Sequence, residues 1–203
     1  MNKFKILKSA KKILIATNNP GKFKEIKELL PQKIRYFKPK DFNMKEPIEN
    51  GKTFQANAKI KSLYGAKSSN IVCISDDSGI EISELNNQPG IYSARWAGRT
   101  KNFNLAIQKV YKKLKKKNKL NSKANFVCCL SIALPDGNSR EFIGRIKGRI
   151  VFPAKGKNGF GYDPIFIPYG QKKTFGELKK REKQKISHRY EAFKKIKKYF
   201  KFS

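Results

Sequence analysis

A short apolar run, Ile71-Val72-Cys73-Ile74, that stops abruptly at Ser75-Asp76-Asp77-Ser78-Gly79 constrains this chain more than any other stretch. The run has the length and composition of a short buried strand. Two adjacent carboxylates at a strand's end, followed by Ser-Gly, predict a turn. Side chains alternate faces along a strand, so one acid can point into a cleft while its neighbour holds the turn. Taken alone, the pattern favours a solvated turn over a site, and only the rest of the chain reverses that reading.

The chain opens with a related pattern. Ile13-Leu14-Ile15-Ala16 reads as a first strand, and Thr17-Asn18-Asn19-Pro20-Gly21-Lys22 as the loop after it, because Asn, Pro and Gly are loop formers. Phe23, Ile26, Leu29 and Leu30 then recur at helical spacing. Such a strand–loop–helix unit offers backbone N–H groups and a helix N-terminus to an anion, with Lys22 as a mobile charge. It is not a Walker A loop, since the upstream Gly and the Ser/Thr after Lys22 are missing. Residues 31–50 read as irregular, with Pro31, Pro39 and Pro47, and they carry the acids Glu46 and Glu49. A helix is predicted from Thr53 through Lys67. Asn57 and Lys61 share one of its faces, where they could hold phosphate or simply be solvated.

Beyond the acids, Ile80, Ile82 and Leu85 alternate as another strand, and residues 86–90 carry turn chemistry. Arg95 is an anion-site candidate, and Trp96, the only Trp, reads as core. Phe103, Ile107, Val110 and Leu114 give an amphipathic helix over 102–117 with a Lys-rich end. A hairpin is predicted from 125 to 146 around Asp136-Gly137. In Gly156–Pro164 glycines let the backbone approach a ligand closely, and Phe160 or Tyr162 could stack on a base. The alternative there is a plain flexible loop. Ile165-Phe166-Ile167 reads as a strand, and Thr174-Phe175-Gly176-Glu177 fits a capping box that starts a short helix. Ser187 is placed as N-cap of a last helix with Phe193, Ile196 and Phe200 on its apolar face. His188, the one histidine, and Arg189 follow that cap directly, where anions bind.

At 203 residues the chain can form one domain, with two lobes at most, and bury a core without disulfides or metal. It carries 47 Lys and Arg against 15 Asp and Glu, a net charge of +32. Such a field attracts polyanions. The basic residues are nevertheless spread along the whole chain, and richness in Lys, Asn, Ile and Phe matches coding bias. No stable nucleic-acid partner is therefore expected, although the field would still draw in a nucleoside triphosphate. Cys73, Cys128 and Cys129 are odd in number, lie in apolar runs and form no Cys-x-x-Cys. They read as reduced core residues of a cytoplasmic protein. Residues 1–12 form a basic extension without the apolar region of a signal peptide, and no run approaches a membrane span.

Six segments in order carry a resemblance: Ala16–Lys22, Thr53-Phe-x-x-Asn-Ala-x-x-Lys61, Asp76–Gly79, Pro89–Arg95, Gly159–Pro164 and Glu182-Lys-x-x-Ile-Ser-His-Arg189. Together they resemble the noncanonical purine nucleoside triphosphate pyrophosphatases, the inosine/xanthosine triphosphate pyrophosphatase family, over nearly the whole chain. Ser75 departs from the Ala of many relatives, and Ala56 from a frequent Glu. The resemblance implies an α/β fold: an elongated, mixed, twisted central sheet flanked by helices, in two lobes with the active-site cleft between them, over 13–203. It implies Mg²⁺-dependent hydrolysis of inosine, deoxyinosine and xanthosine triphosphates to monophosphate and pyrophosphate by a homodimer. Asp77 would be catalytic and, with Glu49, hold the metal. Thr17, Asn18, Asn19, Pro20, Gly21, Lys22 and Lys61 would take the phosphates, and Ser78 would touch substrate. Phe160, Gly161, Tyr162, Asp163, Lys183, His188 and Arg189 would hold the base and sugar. The rival readings are a pyrophosphatase for other modified triphosphates and a basic nucleic-acid-binding protein.

Overall fold

The computed structural model describes residues 10–200, with Phe200 described by its backbone only. Residues 1–9 of the basic extension, and the side chain of Phe200 expected on the last helix's apolar face, lie outside the described residues. In chain order the elements are β1 (Lys12–Ala16), α1 (Pro20–Leu29), β2 (Arg35–Phe37), α2 (Phe54–Ser69), β3 (Val72–Ile82) and β4 (Gln88–Pro89). They continue with α3 (Phe103–Lys116), β5 (Lys123–Ala133), β6 (Ser139–Ile150), β7 (Phe166–Pro168), α4 (Lys180–Ile186) and α5 (His188–Phe200). The strands form one seven-stranded sheet in the order β2-β1-β3-β5-β6-β7, with β4 on β3. The sheet is mixed, as expected: β1 pairs parallel with β2 and with β3, while β3–β4 and β6–β7 are antiparallel.

The chain divides into two compact units. The first takes the residues up to 77, 128–144 and those from 189; the second takes 78–127 and 145–188. In the first unit, alternate residues of β1 and β3 enter two cores. Ile13, Ile15, Val72 and Ile74 pack with Ile26 of α1 and with Ala192, Phe193 and Ile196 of α5. Leu14, Ala16 and Cys73 pack instead with Ala66 of α2. The sheet is thus buried on both faces, and each fully buried Ile or Leu contributes about 1.5–3 kcal/mol. In the second unit, Ile80 and Ile82 of β3 pack with Ala106, Val110 and Leu114 of α3 and with the rings of Phe126, Phe166 and Phe175. Phe126 and Phe166 meet edge to face, their centroids 4.7 Å apart.

Helix ends follow local chemistry. Asn19 caps α1 by accepting from Lys22 N–H, with Pro20 in the first turn. Thr53 caps α2 through Ala56 N–H, and Asn102 caps α3. The helices expected after Lys22, from Thr53, over 102–117 and after Ser187, and the hairpin around Asp136-Gly137, are present.

Three local expectations are corrected. Ser75–Gly79 is not a turn: β3 runs unbroken from Val72 to Ile82, merging two expected strands. Strand conformation persists because the polar side chains find partners in the packed helices, Ser75 Oγ donating to Ala58 O at 2.5 Å. Arg35–Phe37, inside the stretch read as irregular, pairs with β1 as β2. At Thr174 the capping contacts form, with Thr174 N–H donating to Glu177 Oε2 at 2.8 Å, but they close a turn and no helix starts there. Phe175 N–H donates to Phe166 O and Gly176 N–H to Asp163 O, which pins this backbone elsewhere. Among the described residues no helix is long and apolar enough to cross a membrane.

Candidate active site

The period of the strand separates the two acids. Asp76 lies on the same face of β3 as Val72 and Ile74, toward α1 and α5; Asp77 lies on the face of Cys73 and Ser75, toward α2. Both are buried, at 1% and 5% exposure.

Asp76 Oδ2 accepts from Arg189 Nη2 at 2.9 Å and meets Lys22 Nζ at 3.2 Å. The other arm of the Arg189 guanidinium pairs with Glu25, three residues after Lys22 on α1. Burial pushes the Asp76 carboxyl up, but Lys22, Arg189 and Lys61 outweigh it and hold the group well below the usual carboxylate range. For Arg189, burial is likewise outweighed, by Glu25 and Asp76, so its charge is secure.

Asp77 Oδ2 accepts from Asn57 Nδ2 at 3.2 Å, and Lys61 Nζ stands 3.9 Å from its Oδ1. Asn57 and Lys61, one turn apart on α2, therefore converge on the same carboxylate. Lys61 Nζ also pairs with Glu49 Oε1 at 2.8 Å. Here burial dominates, and with the negative charges of Glu49 and Asp76 it holds the Asp77 pKa above the ordinary value despite Lys61 and Lys22. Adjacent aspartates thus lean in opposite directions, one a fixed anion and one a carboxylate with raised proton affinity. Burial lowers the Lys61 pKa, but Asp77, Glu49 and Asp76 raise it further, so the ammonium persists.

Of the Thr17–Lys22 stretch read as a loop, only Thr17–Asn19 lies between β1 and α1; Pro20, Gly21 and Lys22 form the first turn of α1. Thr17 Oγ1 accepts from Asn19 N–H at 3.2 Å, and Asn19 Oδ1 accepts from Lys22 N–H at 3.0 Å. Asn18 Nδ2 donates to Glu46 Oε1 at 2.8 Å. Pro20 is exposed; Gly21 and Lys22 are half-buried. Among the described residues no three His, Cys, Asp or Glu side chains gather as a metal cage. Glu49 and Asp77 nevertheless share one cation, Lys61, and offer only oxygen donors. Mg²⁺ takes such donors, one or two carboxylates completed by substrate phosphates and water. The residues present fit it.

The second unit holds the other candidates. Asp163 Oδ2 accepts from Phe160 N–H at 2.8 Å and from Lys183 Nζ at 2.6 Å. The Lys183 ammonium also lies 4.6 Å from the Phe160 ring centroid. Phe160 and Gly161 are half-buried, as is Ser78. His188 is 4% exposed and stacks on Phe126 at 4.7 Å, nearly parallel.

Two of the residues expected to hold the base and sugar are buried against partners within the protein. Tyr162 is a core residue: it is 2% exposed, meets Phe103 edge to face, and spends its hydroxyl on Ser93 O at 3.1 Å. Arg189, expected with the base and sugar, is fully buried between Glu25 and Asp76 in the first unit. Arg95, the other anion candidate, is exposed and lies over the Tyr92 ring. Glu25 and Phe126 were not legible as site residues. The only sequence signal was the helical spacing of Lys22 and Glu25.

The protein-family model described as the Ham1 family matches residues 13–199. A dITP/XTP pyrophosphatase of Zymomonas mobilis subsp. mobilis is 42% identical, over 91% of this chain and 90% of that protein. One of Caulobacter vibrioides is 41% identical over 92% of this chain and 96% of its own. Among solved structures, a HAM1 protein from Coxiella burnetii superposes with a TM-score of 0.85 at 34% identity, covering 94% of this chain and 98% of that one. The Staphylococcus aureus Ham1 protein gives 0.83 at 38% identity with the same coverage. Sequence, fold and the gathered carboxylates and lysines agree, and the chain belongs to the Ham1 family.

Proposed function

We propose that this chain hydrolyses noncanonical purine nucleoside triphosphates, the inosine, deoxyinosine and xanthosine forms, to the monophosphate and pyrophosphate, with Mg²⁺. The observation that carries the reading is the Asp77 carboxylate, buried, raised in pKa and held between Asn57 and Lys61. The names of the relatives, dITP/XTP pyrophosphatases, support the substrate class.

In this reaction water attacks the α-phosphorus and pyrophosphate leaves. A triphosphate brings about four negative charges, so positive groups must be in place before water can approach. Lys22 and Lys61 supply them, with the Thr17–Gly21 segment at the N-terminus of α1 around the phosphates. Asp77, its proton affinity raised by burial, takes the proton of the attacking water, a role worth about 10²–10⁴-fold. Asp77 and Glu49 would hold Mg²⁺, which when bound neutralises phosphate charge. In the second unit Phe160 offers a half-buried ring to the base, and Gly161 and Ser78 are half-buried as well. Lys183 and His188 supply donors suited to a 6-oxo purine, and a site with buried, specific donors discriminates strongly against a base that lacks the acceptor. Tyr162, Asp163 and Arg189 act by holding their neighbours in place.

We further propose that residues 13–203 work as one catalytic domain, as a homodimer and in the cytoplasm. The family match spans 13–199, and the three cysteines are free thiols.

The test is a triphosphate panel read by pyrophosphate release, with and without a chelator of divalent ions. Inosine, deoxyinosine and xanthosine triphosphates should be hydrolysed rapidly and ATP poorly, and the chelator should stop turnover. Asp77→Asn should lower kcat by about 10²-fold or more without unfolding the protein. Equal kcat/KM for ATP and inosine triphosphate would overturn the base preference. Wild-type turnover in Asp77→Asn would overturn the role of Asp77.

A further inference from the structure

Asn57 joins two pieces of chain that the proposed reaction needs together. Its side chain is 1% exposed, in the first turns of α2. Its Oδ1 accepts from Gly51 N–H at 2.8 Å, and its Nδ2 donates to Asp77 Oδ2 at 3.2 Å. The two ends of an amide are unlike, and here an N–H requires the oxygen while a carboxylate requires the NH₂. The side chain is therefore held one way round by both partners.

Gly51 stands two residues after Glu49, and the approach there is close. A Cβ at position 51 would lie 2.6 Å from Asn57 Oδ1 and 2.7 Å from the Ala56 Cβ. The far end of the same segment is tied by a second amide, Asn18 to Glu46, but that contact is exposed. Ile48, between the two ties, is 84% exposed and adds no buried apolar anchor. The buried Asn57 contact fixes its Gly51 end. One turn further along α2, Lys61 reaches both Glu49 and Asp77.

We propose that Asn57 is a positioning residue: it locks the Glu49 segment and the Asp77 carboxylate into one register, leaving Asp77 Oδ1 toward Lys61. The inference rests on the proposed hydrolysis, since it assigns Asn57 to the geometry of that reaction's two acids. Asn57 touches neither phosphate nor water in this role and acts through Asp77 and Gly51.

The test compares the wild type, Asn57→Asp, and the reciprocal pair Asn57→Asp with Asp77→Asn. Asn57→Asp keeps an acceptor for Gly51 N–H but sets a carboxyl oxygen against Asp77. The reciprocal pair restores a donor facing an acceptor, with the amide now at position 77. Thermal melting should show Asn57→Asp less stable than wild type and the reciprocal pair regaining most of the loss. At a temperature where circular dichroism shows Asn57→Asp folded, its kcat should fall about 10- to 100-fold, the worth of a hydrogen bond to a charged group, while KM stays within about threefold. The reciprocal pair should remain inactive although stable. A reciprocal pair no more stable than Asn57→Asp, or a folded Asn57→Asp with wild-type kcat, overturns the proposal. A wild-type chain that releases no pyrophosphate from any triphosphate overturns the proposed function instead, and the melting comparison still decides whether positions 57 and 77 act as a pair.

Discussion

Asp76 and Asp77 are chemically identical neighbours that the fold makes into different groups. Asp76 meets two cations at hydrogen-bonding range, whereas Asp77 has one amide donor and a more distant ammonium. Nothing local distinguishes them, because the partners of Asp76 are distant in the chain, Arg189 by 113 residues. Breaking that partnership should be costly. Arg189→Met removes the guanidinium from two carboxylates and leaves Asp76 buried with Lys22 alone, a loss of about 3–5 kcal/mol. Urea denaturation measures it, and a loss below about 1 kcal/mol would show that Arg189 does not neutralise these acids.

At the scale of the element, β3 explains why the acids part company. An unbroken strand sends consecutive side chains to opposite faces, toward α1 and α5 on one side and α2 on the other. A turn at Ser75–Gly79 would impose no such alternation. Past the acids the strand needs Gly79, because a Cβ there would collide with the Gly90 carbonyl oxygen and with Ser93 Oγ. Neither is a flexible chain end: Ser93 Oγ donates to Gly90 O at 2.7 Å and accepts from Ile80 N–H at 3.0 Å. Gly79→Ala should therefore cost about 1–3 kcal/mol or more, read as a lower Tm. An unchanged Tm would mean that the 90–93 segment can yield. Helix starts were readable from sequence because Asn19, Thr53 and Asn102 cap within a few residues of themselves. The Thr174 box was misread for the opposite reason. Its local bonds form, but distant carbonyls take the next N–H groups.

For the molecule as a whole, burial of the thiols sets an alkaline limit. Burial first, then Glu141 and Asp77, pushes Cys129 up to about 12, and burial pushes Cys73 and Cys128 higher still. An unfolded thiol titrates near ~8.5. Above that pH the unfolded chain releases thiol protons while the folded chain keeps them, so stability is fully present below ~8.5 and falls as pH rises toward 12. The loss is on the order of 1 kcal/mol per thiol per pH unit. Chemical denaturation at pH 8 and pH 10 should show the drop, and replacing Cys73, Cys128 and Cys129 by Ala should remove that part of it. An equal drop in the substituted protein would overturn the role of the thiols.

The sequence by itself determined most of the strands and helices, the hairpin and the order of motifs that marks the Ham1 family, but not β2 or the unbroken β3. The features it determined depend on contacts between near neighbours, or on residue types at set spacings, and both are written in the chain. It also singled out Asp77, Lys61 and Glu49. It suggested opposite faces for Asp76 and Asp77 but put them in a turn, and it did not show that Tyr162 and Arg189 are buried or that Asn57 ties Gly51 to Asp77. Tertiary structure decided those, because a buried polar group takes its role from whichever partner packing brings within about 3 Å, and that partner can lie anywhere along the chain.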